Sequence, residues 1–175
     1  KSPLQDNLPV QGVPTGPRSY SWIPVEGSTL MWIEALDGGD PKTKAAFRDK
    51  LMTLKSPFTG NASELLKTEH RFQGRSFGER DGLMLYYDYN RDTQRRRMFA
   101  TDYRSAAAGR VISDININDR YGDPGSPVTK VMPNDTSLIR MNGPDIFLQG
   151  TGASPDGDRP FLRRMNLSTL KTEEI

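Results

Sequence analysis

From residue 19 onward, short runs of aromatic and branched residues alternate with polar breaks that carry glycine, proline or asparagine, the signature of half-buried strands joined by tight turns. Residues 19–24 and 29–36 are two such runs, parted by Glu26-Gly27-Ser28, and this pattern predicts a hairpin. Residues 47–54 and 63–68 extend it across Lys55-Ser56-Pro57-Phe58-Thr59-Gly60-Asn61, a strong turn-forming stretch. A helix starting at Asp40 as cap, with Pro41 in its first turn, also fits residues 40–52, but the strand context favours a loop and then a strand. Residues 1–17 contain four prolines and little periodicity, which describes an extended entry segment.

The pattern then repeats. Ser21-Trp22 followed by Leu30-Met31-Trp32 is echoed by Ser76-Phe77 followed by Leu83-Met84-Leu85, and Arg71, which opens the second unit, recurs as Arg120 after it. Strands of the second unit are expected at residues 75–77, 83–89, 95–101 and 110–115, and of a third at 128–132, 146–149, 159–167 and 169–174. Three four-stranded units of about fifty residues each predict an all-β fold, a partial β-propeller of about three four-stranded antiparallel blades. The alternative is a β-sandwich of about ten to twelve short strands. The expected organisation is an entry segment at 1–17 and a propeller over 18–175, with blades at 18–70, 71–118 and 119–175. Trp22, Trp32, Phe77, Tyr86 and Tyr87 fall at strand positions suited to core packing.

Composition narrows the functions. Hydrophobic residues make up 34% and charged residues 26%, with a mean hydropathy of −0.67, so the core is expected to be thin and spread over small sheets. A net charge of +2 is too small for a nucleic-acid footprint over the whole surface. The dense basic run Arg91-Asp92-Thr93-Gln94-Arg95-Arg96-Arg97 reads as a hairpin, turning at 90–93, with Arg95 and Arg97 on one face and Arg96 and Met98 on the other. Cysteine is absent, which excludes a disulfide framework, a cysteine zinc site and a thiol nucleophile. No run approaches the roughly 18 apolar residues of a membrane-spanning helix. Neither nucleic acid nor membrane is therefore expected as a partner. The acidic residues Asp37, Asp40, Asp119, Asp123, Asp156 and Asp158 do not follow the spacing of a calcium loop, so no metal and no cofactor is expected. Gly38, Gly39, Gly122 and Gly125 are expected to need positive φ in turns whose exits Pro41, Pro124 and Pro127 fix, and Gly157 marks a further turn.

Four stretches, "WIEALDGGDPK" at 32–42, "PF.G....ELLKT..RF.G" across 57–74, "DRYGDPGSPV" at 119–128 and "GTGASPDGDRPFL" at 150–162, together resemble the β-propeller region of the prolyl oligopeptidase family of serine peptidases. The closest subgroup is the glutamyl endopeptidases of plastids and bacteria, and the resemblance covers residues 17–174. It implies that the chain continues beyond Ile175 into further blades and an α/β-hydrolase domain carrying the Ser, His and Asp of catalysis. It also implies a parent exported in bacteria or located in plastids. The one histidine, His70, reads as a turn residue between two units, and no catalytic residue is assigned to this chain.

The family role of the propeller is to restrict which peptides reach the active site, which makes the downstream hydrolase domain, the remaining blades and a peptide the expected partners. Cleavage after glutamate calls for a cation near the substrate carboxylate. Arg48, Arg71, Arg120 and Arg159 lie in the matching stretches and are the substrate-contact candidates, with an ion pair to a neighbouring aspartate such as Asp49, Asp119 or Asp158 as the competing use. The family carries an acidic residue and a glycine where this chain has Arg163 and Leu170, which puts the charge and turn type of the last hairpin in question. Two expectations remain: a non-catalytic propeller portion of a peptidase, or a stand-alone propeller-like module that binds a protein or glycan. An open set of blades is also expected to self-associate.

Overall fold

A computed structural model describes residues 8–80, 82–105 and 108–175. It is all-β, a partial β-propeller of antiparallel sheets, and it divides into two compact units, the first ending at Phe72 and the second comprising Gln73–Ser105 and Gly109–Ile175.

In the first unit β1 (Arg18–Trp22), β2 (Thr29–Ala35), β3 (Asp49–Lys55) and β4 (Ser63–Thr68) form one sheet in chain order. Alternation along the strands sends Met31, Ile33, Leu51 and Leu66 to a buried face. On the other face Glu34 faces Lys50 across the strands at 2.9 Å and accepts a hydrogen bond from Trp32 Nε1 at 2.7 Å.

A bulge in β1 decides the fate of Trp22. Arg18 pairs with Ile33 but Ser21 pairs with Met31, so one extra residue lies between them, where Ser19 adopts φ 54°. The insertion shifts every later side chain of β1 to the opposite face. Trp22 therefore sits beside Leu30 rather than Thr29 and is 58% exposed, which corrects its expected place in the core. It meets Phe58 at a ring separation of 6.0 Å, and Tyr20 meets Trp32 at 5.9 Å. Trp32, Phe77 and Tyr86 are buried as expected, and Tyr87 is half-buried.

The second sheet is β5 (Arg71–Phe77), β6 (Leu83–Asn90), β7 (Arg95–Asp102) and β8 (Arg110–Asn116), again in chain order. Met84 occupies the position equivalent to Met31, and both are fully buried. The β6–β7 turn forms where the basic run predicted it: the Asn90 carboxamide oxygen accepts the amides of Asp92 and Thr93, and Gln94 takes φ 54°. Three of the run's four arginines are spent on carboxylates. Arg97 grips the buried, directly opposite Asp88 through two hydrogen bonds, at 2.9 and 2.5 Å, while Arg95 pairs with Asp114 at 2.8 Å and Arg96 with Asp123 at 3.7 Å.

The third region differs from expectation. It holds β9 (Ser126–Pro127), β10 (Thr129–Val131), β11 (Ser137–Ile139), β12 (Met141–Asn142), β13 (Asp145–Gly150), β14 (Phe161–Asn166) and β15 (Thr172–Glu174): β10, β13, β14 and β15 fall on the four strands expected there, and β9, β11 and β12 are additional. Residues 128–132 do not open the third sheet. They pair with β11 in a separate two-stranded sheet, and the main sheet runs β12-β13-β14-β15 with β9 also on β13. The cause is local: Asn134 accepts both the amide and the hydroxyl of Thr136, and Asp135 takes φ 61°, so a tight turn folds β10 onto β11. Closing a short loop costs less entropy than pairing at a distance. The last turn ends in a left-handed residue that is not glycine. Leu170 adopts φ 58°, at a cost of roughly 1–2 kcal/mol.

The second and third sheets pack face to face in the second unit. Leu83, Leu85, Met98 and Ile112 meet Ile139, Met141, Ile146, Leu148 and Met165 in one apolar core. Gly78 permits the approach, since a Cβ there would lie 2.8 Å from both Leu83 Cβ and Met141 Sδ. Across the same seam Glu79 accepts the Met141 amide at 3.0 Å, and Arg80 donates to the Met141 carbonyl at 3.0 Å.

Candidate functional site

The densest polar arrangement in the first unit grows from the Asp37-Gly38-Gly39 turn after β2. Gly38 and Gly39 hold φ 65° and 75°, which lets Asp37 turn its carboxylate back to accept the Gly39 amide at 3.0 Å. A Cβ on Gly39 would stand 2.0 Å from the Val13 carbonyl oxygen, and the Val13 amide donates to the Gly39 carbonyl at 3.0 Å, so the entry segment is docked on this turn.

Asp37 and Asp49 are both fully buried, and three arginines close around them. Arg48 donates to Asp37 Oδ2 at 2.7 Å, Arg71 donates to Asp37 Oδ2 at 2.6 Å and to Asp49 Oδ1 at 2.7 Å, and Arg18 donates to Asp49 Oδ1 at 2.6 Å. The remaining Asp49 oxygen accepts the Phe72 amide at 2.8 Å. The result is a line of alternating charge, Arg48–Asp37–Arg71–Asp49–Arg18, with a formal excess of one positive charge. Burial pushes the Asp37 carboxyl up, but the Arg48 hydrogen bond, the Arg71 charge and hydrogen bond and the Gly39 amide outweigh it and hold it below the ordinary aspartate range.

This network settles where the four candidate arginines stand. Arg48 and Arg71 both lie in it, tied to carboxylates that lock β2, β3 and the start of β5 together. Arg120 is not with them; it pairs with Asp158 at 2.5 Å on the surface of the second unit. Arg159 is exposed and forms no ion pair among the described residues. Arg18 completes the line and was missed from the sequence, because nothing in the spacing connects it with an aspartate 31 residues on. His70 lies in the bend between β4 and β5, where its carbonyl accepts Thr68 Oγ1 at 2.8 Å. Among the described residues no group of acidic and histidine side chains is arranged to hold a metal ion.

Of the turn glycines, Gly38, Gly39 and Gly125 adopt positive φ as expected, and Gly157, expected only to mark a turn, adopts it too. Gly122 does not, and its requirement is steric. Its amide donates to Asp119 Oδ1 at 2.8 Å, and a Cβ would fall 2.4 Å from Asp119 Oδ2. Pro124 lies between it and Gly125, whose own Cβ would strike the Gln149 carbonyl oxygen at 2.4 Å.

These features define a partial β-propeller whose first blade is tied by a buried ion chain. No protein-family model matches the sequence. Over 99% of its length the chain is 30% identical to a protein of Oryza sativa subsp. japonica and 33% identical to one of Arabidopsis thaliana, each called probable glutamyl endopeptidase, chloroplastic. It spans 19% of the length of each. An uncharacterized protein of Listeria monocytogenes EGD-e, known from a crystal structure, superposes with a TM-score of 0.52 over 95% of this chain and 43% of its own, at 13% identity, and so shares the fold. The chain is a propeller region related to the glutamyl endopeptidases.

Proposed function

We propose that this chain is the non-catalytic propeller portion of a prolyl-oligopeptidase-like serine peptidase and controls which peptides reach an active site carried elsewhere in the parent protein. The observation that carries the reading is similarity along the whole chain to one part of two proteins called glutamyl endopeptidases. The scaffold suits the role: substrate-selecting loops need rigid sheets beneath them, and the buried ion chain and the apolar seam between the second and third sheets supply that rigidity. The alternative, a stand-alone module binding a protein or glycan, draws on the exposed aromatic group of Tyr20, Trp22 and Phe58. The test is hydrolysis of a glutamyl chromogenic peptide by this chain and by the parent protein that contains it. Cleavage by the parent alone, with a broadened size range of substrates when the propeller is removed, supports the proposal. Cleavage by the isolated chain, or a parent that hydrolyses no peptide, overturns it.

A further inference from the structure

The seam between the second and third sheets is closed at Gly78 but not along its whole length. Where β6 begins and β7 ends it opens into a cavity of about 420 Å³ whose apolar walls are Leu83, Ala100, Met141, Pro144 and Leu167. All five belong to the second compact unit, so the cavity lies within one body. Small residues keep it open: Ala100 contributes only a methyl group, and a Cβ on Gly143 would meet no atom within 4 Å. Close-packed seams leave few voids larger than a water molecule. A cavity of this size, with apolar walls and a few polar groups, has the make-up of a small-molecule site.

Two charged residues, Asp102 and Arg110, complete the lining, and they are not equivalent. Asp102 is neutralised by Arg104, whose Nε donates to one carboxylate oxygen and whose Nη2 donates to the other, each at 2.9 Å. Arg110, the first residue of β8, is held across the seam by Nη1, which donates to the Leu167 and Ser168 carbonyls at 3.3 and 2.8 Å. These carbonyls orient the guanidinium without cancelling its charge, and among the described residues it forms no ion pair. An apolar cavity beside an uncompensated, exposed cation is complementary to an apolar body that ends in an anion. We infer that this cavity binds a small amphipathic carboxylate, with its hydrocarbon part between Leu83, Met141 and Leu167 and its carboxylate on Arg110. The site uses none of the ion-chain residues and stands apart from the peptide-selecting role proposed above.

The experiment is titration of the chain, carrying isotope-labelled methionine methyl groups, with octanoate, octanamide and butanoate, read by calorimetry and by the Met141 methyl resonance. Octanoate should shift that resonance and bind about tenfold tighter than octanamide, which has the same hydrocarbon chain without the charge. Butanoate buries fewer methylenes and should bind at least about tenfold weaker than octanoate. Arg110→Gln keeps a donor for the two carbonyls, so it should stay folded, bind octanamide as before and lose the preference for octanoate. Ala100→Leu fills the cavity and should weaken octanoate and octanamide together. Equal affinity for the two, a preference that survives Arg110→Gln, or full octanoate binding by a folded Ala100→Leu chain overturns the inference. So does octanoate binding that leaves the Met141 methyl unmoved, a result read in the wild-type chain without any variant.

Discussion

Asp49 is the residue on which the first blade depends, and its removal gives the sharpest test of the ion chain. It is fully buried and accepts three hydrogen bonds, from Arg18 at 2.6 Å, Arg71 at 2.7 Å and the Phe72 amide at 2.8 Å. Asp49→Ala leaves two guanidinium groups, 13% and 15% exposed, facing each other without the charge that separates them. Breaking a buried pair by deleting one partner costs about 3–5 kcal/mol. For a chain of this length that corresponds to a fall in Tm of about 6–20 °C. Asp49→Asn keeps an acceptor for the Phe72 amide and loses the charge, so its cost should be smaller, about 1.5–3 kcal/mol, the range of a hydrogen bond to a charged group. Guanidinium chloride unfolding followed by tryptophan fluorescence reads this unit directly, because both tryptophans, Trp22 and Trp32, lie in its sheet. Alanine and asparagine variants that both unfold within about 0.5 kcal/mol of the wild type, the range of ordinary surface substitutions, would refute the reasoning.

Two further outcomes follow from the same turn. The Asp37 carboxyl is held below its ordinary value, so its contribution to stability is full above the unfolded-state pKa of about 3.9 and is lost as pH falls through the lower folded-state value. Acid unfolding of Asp37→Asn should accordingly be less steep below pH 4 than that of the wild type, and identical slopes would show that the carboxylate contributes nothing there. Gly39→Ala combines φ 75° with a Cβ only 2.0 Å from the Val13 carbonyl oxygen, so the entry segment must leave the turn or the turn must distort. Hydrogen exchange at the Val13 amide should rise sharply in this variant, with a loss of stability above the roughly 1 kcal/mol typical of a point substitution.

The sequence was most legible where one strand's environment is set by its immediate neighbours. Ser63–Thr68, Leu83–Asn90 and Arg95–Asp102 fall within a residue of their expected bounds, because alternation, flanking turn residues and the Asn90 turn all favour the same register. The third region was less legible, since its strands are only two or three residues long between residues 126 and 142 and carry too little periodicity to be told from loop. The use of aspartate by Arg48, Arg71 and Arg120 was readable as a competing role from charge alone, but the partners were not: Asp37 reaches Arg71 across 34 residues of sequence.

What the sequence by itself determined is the all-β architecture, the rhythm of its sheets and the positive φ of Gly38, Gly39 and Gly125, because strand alternation and turn chemistry are local and act within a few residues. What only the tertiary structure decided is which face Trp22 occupies and where the ion chain ends. A single inserted residue in β1 reverses the face of everything after it, and no composition signals that insertion. The unpartnered nitrogen of Arg18 likewise exists only because four other charged groups, brought from the β2–β3 loop, β3 and β5, have already paired with one another.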